Sequence, residues 1–334
     1  MSEILDARAE VVKLARLLDC APEELAYLEQ VGSAGLRQFR AQLVELFYGS
    51  EDGGLQRFAR VGNLLPSSVI ASLTREAVGP VLAARVAGFV EPKQAAAVVE
   101  RLSTSFVTDI TVGLDPRRVE PVIGRMPKET IAAIAKELVK RDEYVRMGEL
   151  MTFTDEHAVA AVFAQASDSQ LLQIAFVAED KDKLSAAIAQ LDDERVGGTM
   201  RAAGREQLWP EALDLLLHLD DEQYFRVIDI ASQQPPAVLD ELVAIAQRDN
   251  LWEIVIPSIS QATDPSKLVA ALLRADASAI KDFADAVAAD DAWEDMRELF
   301  GKLADGQRAA LSKRITQNGR AELFSPVSEL MTAV

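Results

Sequence analysis

Short helices restart repeatedly between Phe89 and Leu191, and each restart carries a similar local signal. The signals combine an apolar residue with an acid, a serine or a proline, at Val90-Glu91-Pro92, Leu114-Asp115-Pro116, Arg125-Met126-Pro127, Phe153-Thr154-Asp155, Ser167-Asp168 and Leu191-Asp192-Asp193. An Asp or Ser at the N-cap accepts hydrogen bonds from the unpaired N–H groups of the first turn, and a Pro at the first helical position has no N–H to leave unpaired. Each signal therefore predicts the start of a helix.

The segments between these signals have the periodicity of helices. Apolar residues recur three and four positions apart, as at Ile131, Ile134 and Leu138, and the alternation typical of a β-strand is missing. Because helices of about ten residues are marginal on their own in water, they are expected to pack on their neighbours along the chain. The predicted fold is all-α: an α-solenoid of short helical hairpins with a small N-terminal helical cap.

One of these units resembles a known family. The stretch LDPRRVEPVIGRMPKETIAAIAKEL, from Leu114 to Leu138, is similar to the helical repeats in the N-terminal cytosolic domain of MgtE-type magnesium transporters. The resemblance covers about Val90 to Leu191 and implies a right-handed superhelix related to the FliG fold, together with a regulatory response to Mg²⁺. It extends to the helical repeats only, since no run of 18 uncharged apolar residues is present to form a membrane domain.

Composition predicts four segments. Residues 1–50 are expected to form a three-helix N-terminal cap, in which Asp19 is the N-cap of the second helix. The remaining segments are 54–90, a basic amphipathic stretch after the linker-like residues 50–54; 90–191, the MgtE-like repeats; and 192–334, less regular helical repeats. In the last segment Trp209, Trp252 and Trp293 are spaced 43 and 41 residues apart, which indicates a longer repeat there. Their side chains are predicted to pack as wedges between helices.

Charge limits the classes of partner. The chain carries 35 Lys and Arg against 53 Asp and Glu, a formal net charge of −18. Nucleic-acid binding depends on Lys and Arg that neutralise phosphates, so no nucleic-acid partner is expected. The stretch MSEILDARAEVV does not read as a signal sequence, and the expected location is cytoplasmic, at a membrane periphery if the chain docks there. The one cysteine, Cys20, is interpreted as a small core residue rather than a reactive thiol.

Residues 54–90 are basic, in contrast to the acidic chain as a whole. Arg57, Arg60, Arg75 and Arg85 stand against the single acid Glu76, a local charge of +3. A basic amphipathic stretch can dock on an anionic membrane surface or on an acidic partner. The plainer interpretation, which the sequence favours, is that these arginines pair with acids of neighbouring helices while the apolar residues form core.

Motifs for catalysis are missing from the sequence. It contains no G-x-G-x-x-G, no G-x-x-x-x-G-K-[ST] and no G-x-S-x-G. The two histidines, His157 and His218, lie far apart along the chain, and His218 is placed at a helix C-terminus, where the helix dipole favours it. The sequence therefore predicts a protein that is not an enzyme.

Acidic clusters are candidate ligands for Mg²⁺, because hard divalent cations take oxygen ligands. The candidates are Asp180, Asp182, Asp192, Asp193, Glu194, Asp220, Asp221 and Glu222. The favoured interpretation is that they are N-caps and acids of first helical turns, which explains these positions without a metal. No resident cofactor is predicted, and Mg²⁺ is the one ion considered.

The predicted function is a non-enzymatic scaffold or adaptor that binds a protein partner or a second copy of the chain along its helical repeats. Two alternatives stay open. One is a peripheral membrane protein that docks through residues 54–90, and the other is the Mg²⁺-responsive regulatory domain that the transporter resemblance implies.

Overall fold

The structure is a computed structural model that describes residues 2–49, 52–154, 159, 162–163 and 165–332. Secondary structure in these residues is helical, with no strand among them, so the predicted all-α class is confirmed. The chain divides into two compact units, Ser2–Gln190 and Leu191–Val334. This division lies beside the boundary drawn from the sequence at 191/192, whereas the finer four-segment organisation stays a prediction.

The first unit consists of short helices, most of them 7 to 13 residues long. They are α1 (Ser2–Leu18), α2 (Pro22–Leu25), α3 (Ser33–Gly49), α4 (Asp52–Gly62), α5 (Ser67–Leu73), α6 (Gly79–Ala87), α7 (Pro92–Val99), α8 (Thr104–Gly113), α9 (Pro116–Ile123), α10 (Lys128–Lys140), α11 (Tyr144–Met151), α12 (Asp168–Phe176) and α13 (Asp182–Ile188). A 3-10 helix covers Ala26–Val31 and a π-helical turn covers Thr74–Val78.

Several predicted helix starts are confirmed by their caps. Helix α7 begins at Pro92, and α10 follows Pro127. The Ser167 hydroxyl accepts from the Gln170 N–H, and the Gln170 side-chain oxygen accepts from the Ser167 N–H, which is a capping box at the start of α12. The start predicted at Phe153-Thr154-Asp155 reaches Asp155, which lies outside the described residues.

The prediction that Asp19 is the N-cap of the second helix is wrong. It does not cap the second helix, because its φ of 55° is left-handed and it ends α1. The N-cap of α2 is Ala21, whose N–H donates to the Glu24 carboxylate. Asp tolerates the left-handed conformation better than most residues, which is why an Asp near a helix boundary can belong to either end.

The N-terminal helices pack around a small apolar centre. Ala7, Val11 and Leu36 are buried together, and Leu25 and Leu28 pack against them. Helix α1 also contacts α11. In the stretch that follows, α4, α6, α8 and α10 pack in succession, and so do α5, α7 and α9, which gives two rows of helices.

The second unit repeats a longer pattern. Its helices are α14 (Asp193–Glu206), α15 (Trp209–Leu217), α16 (Asp221–Ser232), α17 (Pro236–Arg248), α18 (Trp252–Gln261), α19 (Ser266–Arg274), α20 (Ala277–Ala289), α21 (Trp293–Lys302), α22 (Asp305–Gln317) and α23 (Ser328–Thr332), with a 3-10 helix at Ala321–Val327. Long helices begin at Asp193, Pro236 and Ala277, and the spacing of these starts, 43 and 41 residues, is that of the tryptophans.

Equivalent helices of successive repeats pack on each other. The first helices α14, α17 and α20 contact in order, the second helix α18 contacts α21, and the third helix α19 contacts α22. Trp252 and Trp293 occupy equivalent positions in successive repeats. The ring of Trp252 packs edge to face on Phe283, and the ring of Trp293 packs in the same way on Phe324. This is the packing of a helical repeat, while the superhelical course of an α-solenoid stays a prediction.

Helices α10, α14, α17 and α20 end in the same way, at a residue with a left-handed backbone conformation that we call a left-handed corner. Asp142, Gln207, Asn250 and Asp291 all have φ between 53° and 60°. The N–H of the following residue donates to the carbonyl five positions earlier, as from Leu251 to Ala246 at 2.9 Å. This is the Schellman arrangement, and it places Tyr144, Trp209, Trp252 and Trp293 at the first position of the next helix.

Candidate functional site

Helix α4 exposes arginines and apolar side chains together. The exposed fractions are 50% for Phe58, 62% for Val61 and 85% for Leu64, which follows the helix. Arg57 and Arg60 are exposed on the same helix, and neither makes an ion pair or hydrogen bond with another described residue. The plainer interpretation from the sequence, arginines paired with acids around an apolar core, therefore does not hold for these two residues.

The residues after α4 also expose apolar side chains. We call residues 54–90 the basic–apolar segment. Beyond α4 it exposes four further apolar side chains, Val69, Leu73, Val81 and Leu82. Single exposed apolar residues are ordinary on a protein surface, whereas seven within 25 residues of the chain indicate an interaction surface.

The other two predicted docking arginines are engaged. Arg75 pairs with the adjacent Glu76 at 2.9 Å, and both side chains are exposed. Arg85 is half-buried and donates from Nη2 to the Phe47 carbonyl at 3.3 Å. Of the four arginines singled out from the sequence, Arg57 and Arg60 are thus the pair available for an external anion.

An apolar cavity of about 210 Å³ opens beside this segment. Phe58, Val61 and Leu73 contribute exposed side chains to its lining. Most of the remaining lining comes from α5 to α8 and the turns between them, and includes Ile70, Val86, Val98 and Leu102. Solvent therefore reaches the cavity from the side of α4 and α5.

A second cavity of about 150 Å³ lies in the same unit. Ala87, Ala95, Val99 and Ile110 line both cavities, so the two adjoin each other. Among the described residues that line the second cavity none is exposed, and Phe163 is fully buried. We call the two cavities together the apolar groove.

The groove offers almost no polar chemistry. None of the described residues that line it is charged. The hydroxyl of Thr111 donates to the Val107 carbonyl at 2.9 Å, and that of Thr154 donates to the Met151 carbonyl at 3.1 Å. These two hydroxyls are thus hydrogen-bonded to nearby carbonyls, whereas the hydroxyl of Thr74, which lines the first cavity, has no hydrogen-bond partner among the described residues. The described lining is otherwise apolar and favours apolar groups.

A buried ionic network lies elsewhere in the first unit. The Glu10 carboxylate, 1% exposed, receives the Lys13 ammonium at 2.9 Å and the Arg40 guanidinium at 2.9 Å, and Arg40 also reaches Glu179. Burial acts to raise the pKa of Glu10, but the two cations outweigh it and hold that pKa below its ordinary value. The network joins α1, α3 and Glu179, and it is fully paired, as a structural ion cluster requires.

The acidic Mg²⁺ candidates serve as caps or surface charges. Asp192 accepts from the Arg195 N–H at 2.8 Å, and Asp220 accepts from the Gln223 N–H at 2.9 Å. Asp193 pairs with Arg226 at 2.7 Å. Asp221 and Glu222 are exposed in the first turn of α16. Among the described residues, none of these five belongs to a group of ligand atoms close enough to share an ion.

His218 and Cys20, two further residues singled out from the sequence, follow the ends of helices. His218 is the C-cap of α15, and its Nδ1 lies 2.7 Å from the Asp214 carbonyl oxygen. Cys20 is a half-buried free thiol. His157 lies outside the described residues.

Sequence periodicity missed the apolar groove. It marked Ile131, Ile134 and Leu138 as an apolar face that packs on neighbouring helices, but a filled core and an open groove have the same periodicity. The one available signal was the small size of Ala87 and Ala95 at adjoining inward positions, where larger side chains would fill the space.

No protein-family model matches this chain, and no curated protein is similar to it at a significant level. The resemblance of Leu114–Leu138 to the magnesium-transporter repeats therefore stays a prediction. In the described part of the chain, no helix is long and apolar enough to cross a bilayer.

Proposed function

We propose that this protein is a non-enzymatic, peripheral lipid-binding protein that docks on anionic membrane surfaces through the basic–apolar segment. The observation that carries the proposal is the composition of α4 and the turn after it, where Arg57 and Arg60 have no partner among the described residues and stand among the exposed side chains of Phe58, Val61 and Leu64. An interfacial helix combines these same two features, cations for lipid headgroups and large apolar side chains for the acyl boundary.

The magnitudes are adequate for reversible docking. Each Arg near an anionic leaflet contributes about 1 kcal/mol. Burial of a side chain such as Phe or Leu contributes about 1.5 to 3 kcal/mol. Two arginines and three side chains together give several kcal/mol, which corresponds to micromolar or weaker binding after association costs.

The acidic remainder of the chain opposes docking only at short range. The net charge is −18, but exposed charges more than about 10 Å from the membrane are screened at 0.1 M salt. The local charge of +3 in residues 54–90 therefore governs the contact. Docking is expected to weaken as salt rises from about 0.05 to 0.5 M, since the Debye length shortens.

Vesicle flotation tests the proposal. Wild-type protein is expected to float with vesicles of phosphatidylglycerol and phosphatidylcholine at low salt, and not with phosphatidylcholine alone. The double variant Arg57→Glu/Arg60→Glu is expected to stay in the unbound fraction. Its matched control is Arg205→Glu/Arg297→Glu, an equal change of charge at two exposed residues of the second unit.

Two results would overturn the proposal. One is wild-type protein that does not float with anionic vesicles at low salt. The other is loss of flotation in the control double variant equal to that of Arg57→Glu/Arg60→Glu, which would assign the effect to net charge rather than to the segment.

A second candidate is a protein scaffold, supported by the repeat packing of α14 to α22. Helical repeats commonly bind partners along an extended surface, and Phe225 and Leu217 are exposed large apolar side chains of this unit. Sedimentation velocity of the purified chain tests the case in which the partner is a second copy. A concentration-dependent dimer that Phe225→Asp abolishes would support it, and a monomer up to about 100 µM, a weak-dimer concentration, would reject self-association.

A further inference from the structure

Thr74 differs from the other buried threonines in the described part of the chain. Thr108, Thr111 and Thr199 each donate their hydroxyl to a carbonyl three or four positions earlier, at 2.7 to 2.9 Å. This is a common way in which a helix satisfies a threonine hydroxyl. Thr74 is only 8% exposed, yet its hydroxyl has no hydrogen-bond partner among the described residues. Burial without a partner costs free energy, which a bound polar group would recover.

The backbone at Thr74 is also unusual. Thr74 begins the π-helical turn Thr74–Val78, and the Gly79 N–H donates to the Thr74 carbonyl five positions earlier. Gly79 has a φ of 73°, a conformation that favours glycine, and the Pro80 that follows has no N–H to donate. Single π-helical turns are rare and are frequent at functional sites.

Thr74 lines the first cavity, of about 210 Å³, and has the one polar side chain among the described lining residues. The other residues there are apolar, such as Leu65, Ile70 and Val98. Since none of the described lining residues is charged, an ionised ligand would lose its hydration without gaining a counter-charge. The lining therefore favours a neutral and mainly apolar ligand.

We propose that the first cavity binds one small, neutral, mainly apolar molecule whose single hydroxyl or carbonyl group forms a hydrogen bond with the Thr74 hydroxyl. A threonine hydroxyl both donates and accepts, so either group suits it. An apolar cavity of about 150 Å³ takes up benzene, so a cavity of about 210 Å³ suits a ligand of about nine non-hydrogen atoms. This binding goes beyond membrane docking and does not depend on it.

The hydroxyl of Thr74 distinguishes this ligand from two other apolar occupants. The acyl chain of a lipid, or the apolar face of a partner helix, would cover Thr74 with hydrocarbon. Either occupant would leave the hydroxyl without a hydrogen bond and would exclude water from it, at a further cost in free energy. A molecule with one hydrogen-bonding group fills the apolar space and also satisfies Thr74.

Isothermal titration of the full chain with two ligands of equal size tests the proposal without a membrane. The first ligand, 4-ethylphenol, has one hydroxyl, and the second, 4-ethyltoluene, has a methyl group in its place. Wild-type protein is expected to bind one molecule of 4-ethylphenol per chain. A third ligand, 4-ethylbenzoate, is ionised at neutral pH and is expected to bind at least tenfold more weakly than 4-ethylphenol, because the described lining has no counter-charge.

Thr74→Val replaces the hydroxyl by a methyl group of similar size. It is expected to weaken 4-ethylphenol binding about three- to tenfold, the contribution of one hydrogen bond, and to leave 4-ethyltoluene binding unchanged or stronger. Thr108→Val is the matched control, because the Thr108 hydroxyl bonds within its own helix and Thr108 lines neither cavity. The control is expected to change neither affinity.

Ala83→Phe locates the site by filling it. Ala83 lies on α6 and lines the first cavity but not the second, so a phenyl ring there is expected to weaken binding of both uncharged ligands at least tenfold. Ala133→Phe is its control, since Ala133 is exposed on α10 and lines neither cavity. Circular dichroism checks that each variant folds, and the comparison of the two ligands on Thr74→Val decides the proposal if Ala83→Phe does not fold.

Three results would each overturn the proposal. They are wild-type protein without saturable binding of 4-ethylphenol, 4-ethylphenol binding that Thr74→Val weakens no more than Thr108→Val does, and tighter binding of 4-ethylbenzoate than of 4-ethylphenol. Vesicle flotation is measured separately, so a protein that binds 4-ethylphenol and does not float would contradict membrane docking alone.

Discussion

The rings of Trp252 and Phe283 meet edge to face, with centroids 5.6 Å apart and planes inclined at 75°. Both side chains are fully buried, and Phe283 belongs to the first helix of the next repeat. The equivalent pair one repeat later, Trp293 and Phe324, has the same centroid distance. The aromatic contact therefore joins one repeat to the next.

Replacing Trp252 by Ala is expected to lower the free energy of unfolding of the second unit by about 3 to 5 kcal/mol, because a large buried side chain leaves a cavity. Trp252→Phe should cost much less, since the buried indole N–H has no hydrogen-bond partner among the described residues. Urea unfolding followed by far-UV circular dichroism measures both. Equal losses for the two variants would contradict a packing role for the ring.

Gly148→Ala is expected to destabilise the first unit by about 1 to 3 kcal/mol. A Cβ at residue 148 would lie 2.7 Å from the backbone oxygen of Val177, and a backbone atom at that distance cannot move aside without shifting the chain. The control is Gly301→Ala, on a helix with open space around it, which should stabilise by about 0.5 to 1 kcal/mol. Thermal melts of the two variants should shift in opposite directions.

Glu10→Gln is expected to cost about 3 kcal/mol of unfolding free energy, because it leaves the Lys13 ammonium, 3% exposed, without its nearest counter-charge. Glu294→Gln removes an exposed partner of Arg297 and should change stability little. Adding Lys13→Met to Glu10→Gln should recover part of the loss, since it removes a buried ammonium whose remaining counter-charge, Glu179, lies 3.2 Å away. A double variant less stable than Glu10→Gln alone would contradict this account.

Acid is expected to remove the contribution of Glu10. Its pKa in the folded chain is depressed, because Lys13 and Arg40 outweigh the effect of burial. A group of this kind stabilises the fold above its unfolded pKa, near 4.5, and the stabilisation is lost as pH falls through the lower folded pKa. The stability difference between wild type and Glu10→Gln, measured by urea unfolding, should be largest near neutral pH and should shrink below about pH 4.5.

The starts of helices could be predicted from the sequence because they depend on local chemistry. Helix starts at Pro92, Ser167 and Asp192 depend on residues within one turn of each other, and caps and prolines act at that range. The left-handed corners were harder to predict. Asn250 and Asp291 favour that conformation, but Gln207 has no such preference and is held in it by the helices it joins.

The candidate site could not be predicted from the sequence, because it depends on contacts between helices that no local sequence pattern contains. Charge counting identified Arg57 and Arg85 alike. Arg57 is exposed and has no partner among the described residues, whereas Arg85 donates to the carbonyl of Phe47 on α3. The groove arises where Ala87, Ala95 and Ile110, from three different helices, fail to fill the space between them. Such contacts between helices distant in sequence decide whether an apolar position is packed or open.

The left-handed corners have a consequence for how this chain acquires its structure. Each is closed by a backbone bond that spans five residues, so a helix and its turn into the next can form before distant parts of the chain meet. Chains dominated by such short-range contacts fold quickly. A design of this kind also lets a gene gain or lose one three-helix module while the neighbouring modules keep their own corners intact.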